Sequence, residues 1–388
     1  MLAKIPGGPD GVKGISLFVV PKFLVNPDAS LGDRNAVSCG ALEEKMGIHG
    51  NSTCVMNYDG AVGYLLGEPH KGLRTMFIMM NAARLGVAVQ GLSQAEVAYQ
   101  NAVAYCKDRV QGRSLRGAKF PEQPADPIIV HPDIRRMLMT VRVFQEGARS
   151  LAYWAGLQVD IIRKHPDPET RRKAEDLLSL LTPVMKAYFT DMGFTSANLC
   201  LQCFGGHGYI AQWGMEQFVR DARITQIYEG ANGIQALDLI GRKLPANKGR
   251  AIQLFFALVG GFCEKYEDNA ALSPFVKPLT EALERLVEAT QWLMQHAISN
   301  PDNGGAASMD YLYMMALVTL GYQWAQTARI CENQLSNPDD DSFDRQFYLN
   351  KLVCAEFFME KVLPETMSHL AKIQAGADSL MTLKAEAF

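Results

Sequence analysis

No apolar run in this sequence is long enough to cross a bilayer uninterrupted; the longest candidates, 252–262 and 309–320, both carry or adjoin polar residues. A helical membrane protein is thereby excluded, and the chain reads as soluble. Excess charge of one sign is also missing: 38 basic against 41 acidic residues leave a formal net charge of -3. With the two signs interspersed there is no electrostatic footprint for nucleic acid or an anionic membrane. The opening residues, MLAKIPGGPDGVKG, lack the apolar core and small-residue cleavage site of a secretory signal. Eight cysteines have no disulfide-framework spacing; scattered through helical patterns, they read as buried thiols of a reducing, cytoplasmic compartment. Internal repeats and low-complexity tracts are absent too.

What is present is ample apolar content, 48% of 388 residues, enough for two or three domains with true cores. Only residues 1–66 look β-like. The run GISLFVV at 14–20 is β-branched and aromatic until Pro21 stops it, and 53–58 alternates weakly before the turn pair Asp59-Gly60. Two or three such strands need partners to form a stable sheet. From Gly72 the period becomes helical, with Leu85, Val89, Leu92, Tyr99 and Val103 on one stripe. Pro121, Pro124 and Pro127 make 114–130 a loop. His131-Pro132-Asp133 opens a second helix, which His165-Pro166-Asp167-Pro168 closes. A third runs from Glu169 to Cys203 with a bend expected at Thr182-Pro183, and a fourth element is the pair of segments flanking Glu229. Four long amphipathic elements with short connections predict an antiparallel four-helix bundle. Beyond 243–249 another helical set begins, with stripes Leu312, Ala316, Leu320, Trp324, Ala328 and Leu352, Ala355, Met359, Leu363, Met367, Leu370, and turns at 300–305 and 337–341. The expected fold class is mainly α: a partial β-domain at 1–66, a four-helix bundle at 70–245 and an additional α-helical domain at 250–388.

The chemistry-bearing stretch is 201–244, LQCFGGHGYIAQWGMEQFVRDARITQIYEGANGIQALDLIGRKL. Gly205, Gly206 and Gly208 follow an apolar helical run, where residues without a side chain let the backbone turn and let another molecule approach it. Glu229 lies between Tyr228 and Gly230 at a break between two helical patterns. Walled by Ile227 and Tyr228, its carboxylate would lose water, and desolvation moves an acid toward the pKa range useful for proton abstraction. By residue type alone the better reading is a capping acid before the helix 231–244. Cys200-x-x-Cys203-x-x-x-His207 has no further ligand nearby, so no metal site is expected. Met76, Phe77, Met79 and Met80 are expected to be core, and Arg84 to hold an internal ion partner. Arg109, at the end of the first helix, complements the helix dipole.

QCFGGHGYI followed by FVRDARITQIYEGANGIQ closely resembles the C-terminal signature of the acyl-CoA dehydrogenase flavoprotein family. GVKGISLFVVPKF, KMGIHGNSTCVMNYDGAVGYLLGE and KGLRTMFIMMNAARL resemble the second half of that family's middle β-domain leading into its C-terminal helices. The resemblance implies FAD as cofactor and an acyl-CoA thioester as substrate, with Glu229 as the base that removes the α-proton. The β-hydrogen then leaves as hydride to the flavin and a trans-2-enoyl-CoA forms. It further implies that Arg109 and Gln111 reach the FAD pyrophosphate of a neighbouring subunit. Gln202, Gly205 and Gly206 would approach its adenosine and pyrophosphate part, Gly230 would face the flavin, and Tyr228 would wall the substrate pocket. The implied partners are an electron-transferring flavoprotein as acceptor and a second copy of the chain, in a homodimer or larger. Gln212 and Gln217 stand where the family usually has an acidic and a basic residue, and Ala231 where it often has a hydroxyl. The segment NPDNGGAASMDYLYMMALVTLGYQWAQTA is similar to the extra C-terminal domain of the subgroup that includes 3-methylmercaptopropionyl-CoA dehydrogenase. Met1 falls where the family runs on in mid-strand, which implies an N-terminally truncated product. The rival expectation is an inactive fragment serving only as a helical interaction module.

Overall fold

The computed structural model describes residues 1–336 and 344–388, so the turn expected at 337–341 lies outside the described residues. The chain forms two compact units, Met1–Arg84 and Leu85–Phe388.

The first unit holds more strand than its weak alternation suggests. β1 (Leu2–Lys4), β2 (Ile15–Val19) and β7 (Tyr64–Leu66) form one antiparallel sheet in the order β1-β2-β7. β3 (Phe23–Val25) pairs with β4 (Leu31–Arg34), and β5 (Val37–Leu42) with β6 (Cys54–Tyr58). Ser16 is the one strand residue in the buried class, and its hydroxyl accepts from the backbone N–H of His70 at 2.8 Å. With polar or half-exposed side chains on both faces, these strands give little periodic signal. α1 (Gly72–Asp108) begins in this unit. Its methionine stripe is not core as expected: Met79 is 65% exposed, and Met76, Phe77 and Met80 are only half-buried. Small sheets offer too little apolar surface to cover it. Arg84 is buried, with its guanidinium 5.6 Å from the centre of the Phe77 ring.

Among its described residues the second unit consists of helices and their connections, with one isolated antiparallel bridge between Val110 and Pro127. α2 (Pro132–Lys164) and α3 (Pro168–Cys203) each start with proline in the first turn, where the missing N–H costs nothing. Asp167 caps α3 by accepting from the N–H groups of Glu169 and Thr170. Joined by so short a link and packed on each other, α2 and α3 run antiparallel. α3 continues as helix through Pro183, because residues 180–190 are buried on every side and packing outweighs the lost hydrogen bond. α4 (Met215–Arg223), α5 (Asn232–Asp238), α6 (Arg250–Tyr266), α7 (Ser273–His296), α8 (Pro301–Leu335), α9 (Arg345–Phe357) and α10 (Glu365–Gln374) follow.

One hydrophobic core runs from Ala88 and Leu92 of α1 through Leu180 and Phe189 of α3 to Leu312 and Trp324 of α8, so the helices beyond 250 share their core with the bundle. Every member of the Leu312 stripe is buried, as are Ala355, Met359 and Leu363, whereas Met367 is 54% exposed. The π-helical turn Phe358–Val362 takes up an extra residue before α10 and throws the second stripe out of register beyond Leu363. Two close approaches fix the packing. A Cβ on Gly91 would lie 2.4 Å from Phe189 O, and one on Gly193 would lie 2.5 Å from Gly91 O, so the α1 and α3 backbones touch. Trp324 donates from Nε1 to Val143 O at 3.1 Å beside Gly147 of α2. Among the described residues no helix is long and apolar enough to cross a membrane.

Candidate active site

The singled-out residues fall into two groups. Arg109, Gln111, Gln202, Gly205 and Gly206 come together around one open cavity of about 560 Å³. Tyr228, Glu229 and Gly230 do not line it and form a separate turn.

The cavity is assembled at the C-terminal ends of α1 and α3. After α1 the backbone of Arg109 to Gly112 pairs with Asp126 to Ile128: Gln111 N–H donates to Asp126 O at 2.9 Å, and Ile128 N–H to Arg109 O at 2.8 Å. His131 Nε2 donates to Gln111 O at 2.9 Å. The loop between is gathered on one acid. Asp126 is fully buried, and its carboxylate accepts from the N–H groups of Ser114, Lys119 and Phe120 and from Arg113. Those bonds, the Ser114 N–H foremost, hold its carboxyl down at about 2 against the opposing effect of burial. Across the cavity α3 ends at Cys203, and Gly205 turns the chain with φ +58°. A Cβ on Gly206 would meet nothing within 4 Å, so this backbone is open to an incoming group. The wall is aromatic: Tyr105 stacks on Phe204 at 4.1 Å, His207 stacks on Trp213 at 4.6 Å, and Tyr105 OH bonds His207 Nδ1 at 2.9 Å. His207 is thus engaged by Tyr105, while Cys200 and Cys203 are buried in a core cluster, Cys203 also reaching the cavity wall. Among the described residues no three His, Cys, Asp or Glu side chains converge as metal ligands.

The second group is the turn between the 3-10 segment Ile224–Gln226 and α5. Glu229 has φ +57°, a left-handed conformation disfavoured for a side-chain-bearing residue, and Gly230 follows at φ +92°. The strain is held by neighbours. Gln235, fully buried, donates from Nε2 to Glu229 O at 3.3 Å and Gly230 O at 3.2 Å, and Tyr228 OH donates to Gln90 Oε1 of α1. Burial pushes the Tyr228 phenol above its ordinary range. Glu229 is half-buried with its Oε2 shielded from solvent. Ile227 is not the wall expected for it, being 51% exposed; its N–H closes the 3-10 turn on Ile224 O and the side chain is left facing outward.

Behind this turn lies a buried polar network absent from the residues singled out in the sequence. Lys186 is fully buried and donates from Nζ to Asn232 Oδ1 at 2.8 Å. Asn232 Nδ2 donates to Ala187 O, Thr190 Oγ1 and Asp191 Oδ1 at 3.2, 2.9 and 2.7 Å. Charged residues within the apolar run LLTPVMKAYFTDMGF of α3 were the available signal, since a cation there must find a partner. Asp126 carried no comparable mark in its loop.

Two family models match: "Acyl-CoA dehydrogenase, C-terminal domain" over residues 70–244 and "Acetyl-CoA dehydrogenase C-terminal like" over 255–384. The chain is 38% identical to 3-methylmercaptopropionyl-CoA dehydrogenase of Ruegeria pomeroyi over 98% of its own length and 64% of that protein. It is 31% identical to a butyryl-CoA dehydrogenase of Syntrophomonas wolfei over 100% of its length and 64% of the relative, so it spans under two thirds of either. In fold it is similar to Caenorhabditis elegans ACDH-11 in complex with C11-CoA, with TM-score 0.75, 19% identity and coverage of 93% of this chain and 56% of that one. An acyl-CoA dehydrogenase complexed with FAD from Bacillus anthracis gives TM-score 0.73 at 20% identity, covering 97% and 60%. On the motif-bearing helices, the two adjoining models and relatives matched along nearly its whole length, the chain belongs to the acyl-CoA dehydrogenase family.

Proposed function

We propose that this chain carries the proton-abstracting half of an FAD-dependent α,β-dehydrogenation of an acyl-CoA thioester, with Glu229 as the base. The observation that carries it is the Glu229 turn: a carboxylate on a strained backbone, with Oε2 out of solvent and the turn tethered at Gln90 and Gln235. Strain that the surroundings over-determine is characteristic of a group held for a task, and an ordinary helix-start acid has no use for it.

The cavity suits a nucleotide diphosphate. Arg109 supplies a fork of donors for phosphate, the Gly205-Gly206 backbone is free of side chains, and Gln111 and Gln202 add amide groups. These residues, with Gly230 facing the flavin, would hold FAD, the adenosine and pyrophosphate coming from a neighbouring copy of the chain. When bound, FAD supplies the hydride acceptor. Glu229 takes the α-proton, and its own backbone N–H serves as a donor to the thioester oxygen as enolate charge develops. Tyr228, fixed on Gln90, walls the acyl group. The family membership supports an electron-transferring flavoprotein as the acceptor and a homodimer or larger assembly. Residues 70–245 act as the flavin-binding bundle and 250–388 as an additional helical domain. A 3-methylmercaptopropionyl-type acyl group is the substrate favoured by the 38% identical relative.

The test is acyl-CoA-driven bleaching of protein-bound FAD in wild type and Glu229→Gln. Wild type is expected to bleach, and the variant to bind FAD equally and stay yellow. A variant that bleaches like wild type would remove Glu229 from the role.

A further inference from the structure

We propose that Asp191 is a positioning residue for Glu229, clamping both ends of the base turn, and that Tyr313 ties this clamp to the C-terminal helices. The role rests on the reading of Glu229 as the base.

A single carboxylate oxygen, Asp191 Oδ1, accepts from Gln226 Nε2 at 2.6 Å and from Asn232 Nδ2 at 2.7 Å. Gln226 is the last residue before the turn and Asn232 the first after it, so both flanks of Tyr228-Glu229-Gly230 are fixed to one point on α3. The other oxygen, Oδ2, accepts from Tyr313 OH of α8 at 2.9 Å. The Tyr313 ring is held from two sides, edge-on to Tyr188 at 5.2 Å and tilted on His369 at 5.5 Å, and His369 is fixed in turn by Asp310 at 2.7 Å. Asn232 is also tied through Oδ1 to the buried Lys186 ammonium. A left-handed Glu229 relaxes unless its neighbours prevent it. With its three donors and its place directly after the buried run 180–190 of α3, Asp191 is the part of the surroundings able to prevent that. Because the hydroxyl from α8 completes the set, the helices beyond 250 support the base and do more than add bulk. Loss of the clamp should displace the carboxylate without removing it. Displacement lowers the chemical step more than substrate binding.

Tyr313→Phe removes one hydroxyl from this set, and Asp191→Asn removes the charge. Tyr311→Phe, which removes from α8 a buried hydroxyl bonded to Thr290 of α7 at 2.8 Å, is the control for general loosening. Hydrogen exchange read by mass spectrometry over 226–235 is expected to speed up about tenfold in Tyr313→Phe and to stay at the wild-type rate in Tyr311→Phe. In flavin-loaded protein the limiting rate of acyl-CoA-driven bleaching should fall about tenfold in Tyr313→Phe, with the half-saturating acyl-CoA concentration within about twofold of wild type. The clamp is overturned if exchange over 226–235 is unchanged in Tyr313→Phe, or if Tyr311→Phe speeds it equally. It is also overturned as a positioning device if exchange rises while the limiting rate stays put. Wild-type protein whose FAD acyl-CoA does not bleach would count against Glu229 as base. Exchange, measured on the chain with or without flavin, decides the clamp separately.

Discussion

The cavity at the ends of α1 and α3 and the turn at Glu229 are built in opposite ways. Around the cavity the functional side chains are exposed and the backbone does the positioning: Arg109 to Gly112 is paired with Asp126 to Ile128, and one buried carboxylate gathers the loop between. Around the turn the backbone is strained and side chains do the positioning, through the buried Gln235, Asn232 and Lys186 and the half-buried Gln90 and Asp191. A surface that must admit a large polar ligand can stay open once its backbone is anchored. A single carboxylate that must hold one geometry needs a second layer of partners, and each buried partner is expensive to lose.

Lys186→Met should have the largest effect of the changes that follow, because it removes a charged donor and strands Asn232 in the interior. Urea unfolding should show a loss of about 2–3 kcal/mol, with bleaching by acyl-CoA reduced further than stability accounts for. A loss indistinguishable from that of a surface lysine would erase the contrast between the two regions. Gly91→Ala forces α1 away from α3 next to Gln90, the anchor of Tyr228; thermal unfolding should register about 2 kcal/mol.

On the cavity side, Asp126→Asn should spare the turn and weaken FAD binding about tenfold in a fluorescence titration, since Arg109 and Gln111 lose their anchored frame. The same group sets a pH limit. Its carboxyl is held at about 2 in the folded chain, below the ordinary value near 3.9, so its stabilising contribution is present above about pH 4 and disappears as pH falls through 2. Hydrogen exchange over 112–127 should therefore accelerate between about pH 4 and 2 in wild type and show no such step in Asp126→Asn. The smallest effect is expected at Gly206→Ala, which meets no neighbour: stability within about 0.5 kcal/mol of wild type and FAD binding a few-fold weaker.

Residue patterning made the helices legible because their long stripes had boundaries marked by Pro132, Asp167 and Pro168. It failed where the signal was local or one-sided. Strands with few buried residues left β1, β3, β4, β5 and β7 without readable alternation, and the π turn before α10 displaced Met367. Of the site, the motif residues were visible and five of them do share one cavity. Asp191, Lys186 and Gln90 were invisible as a group because each is distant in sequence from what it holds, and Asp126 because its loop has no periodic pattern to single it out. Only the charges inside the apolar run of α3 hinted that a buried network was there.

The most direct measurement of the central claim follows one hydrogen. Flavin-loaded protein is incubated with an acyl-CoA carrying deuterium on its α-carbon, and loss of label to water is read by mass spectrometry. Wild type should wash the label out and Glu229→Gln should retain it, whereas equal loss from both would show that some other group takes the proton.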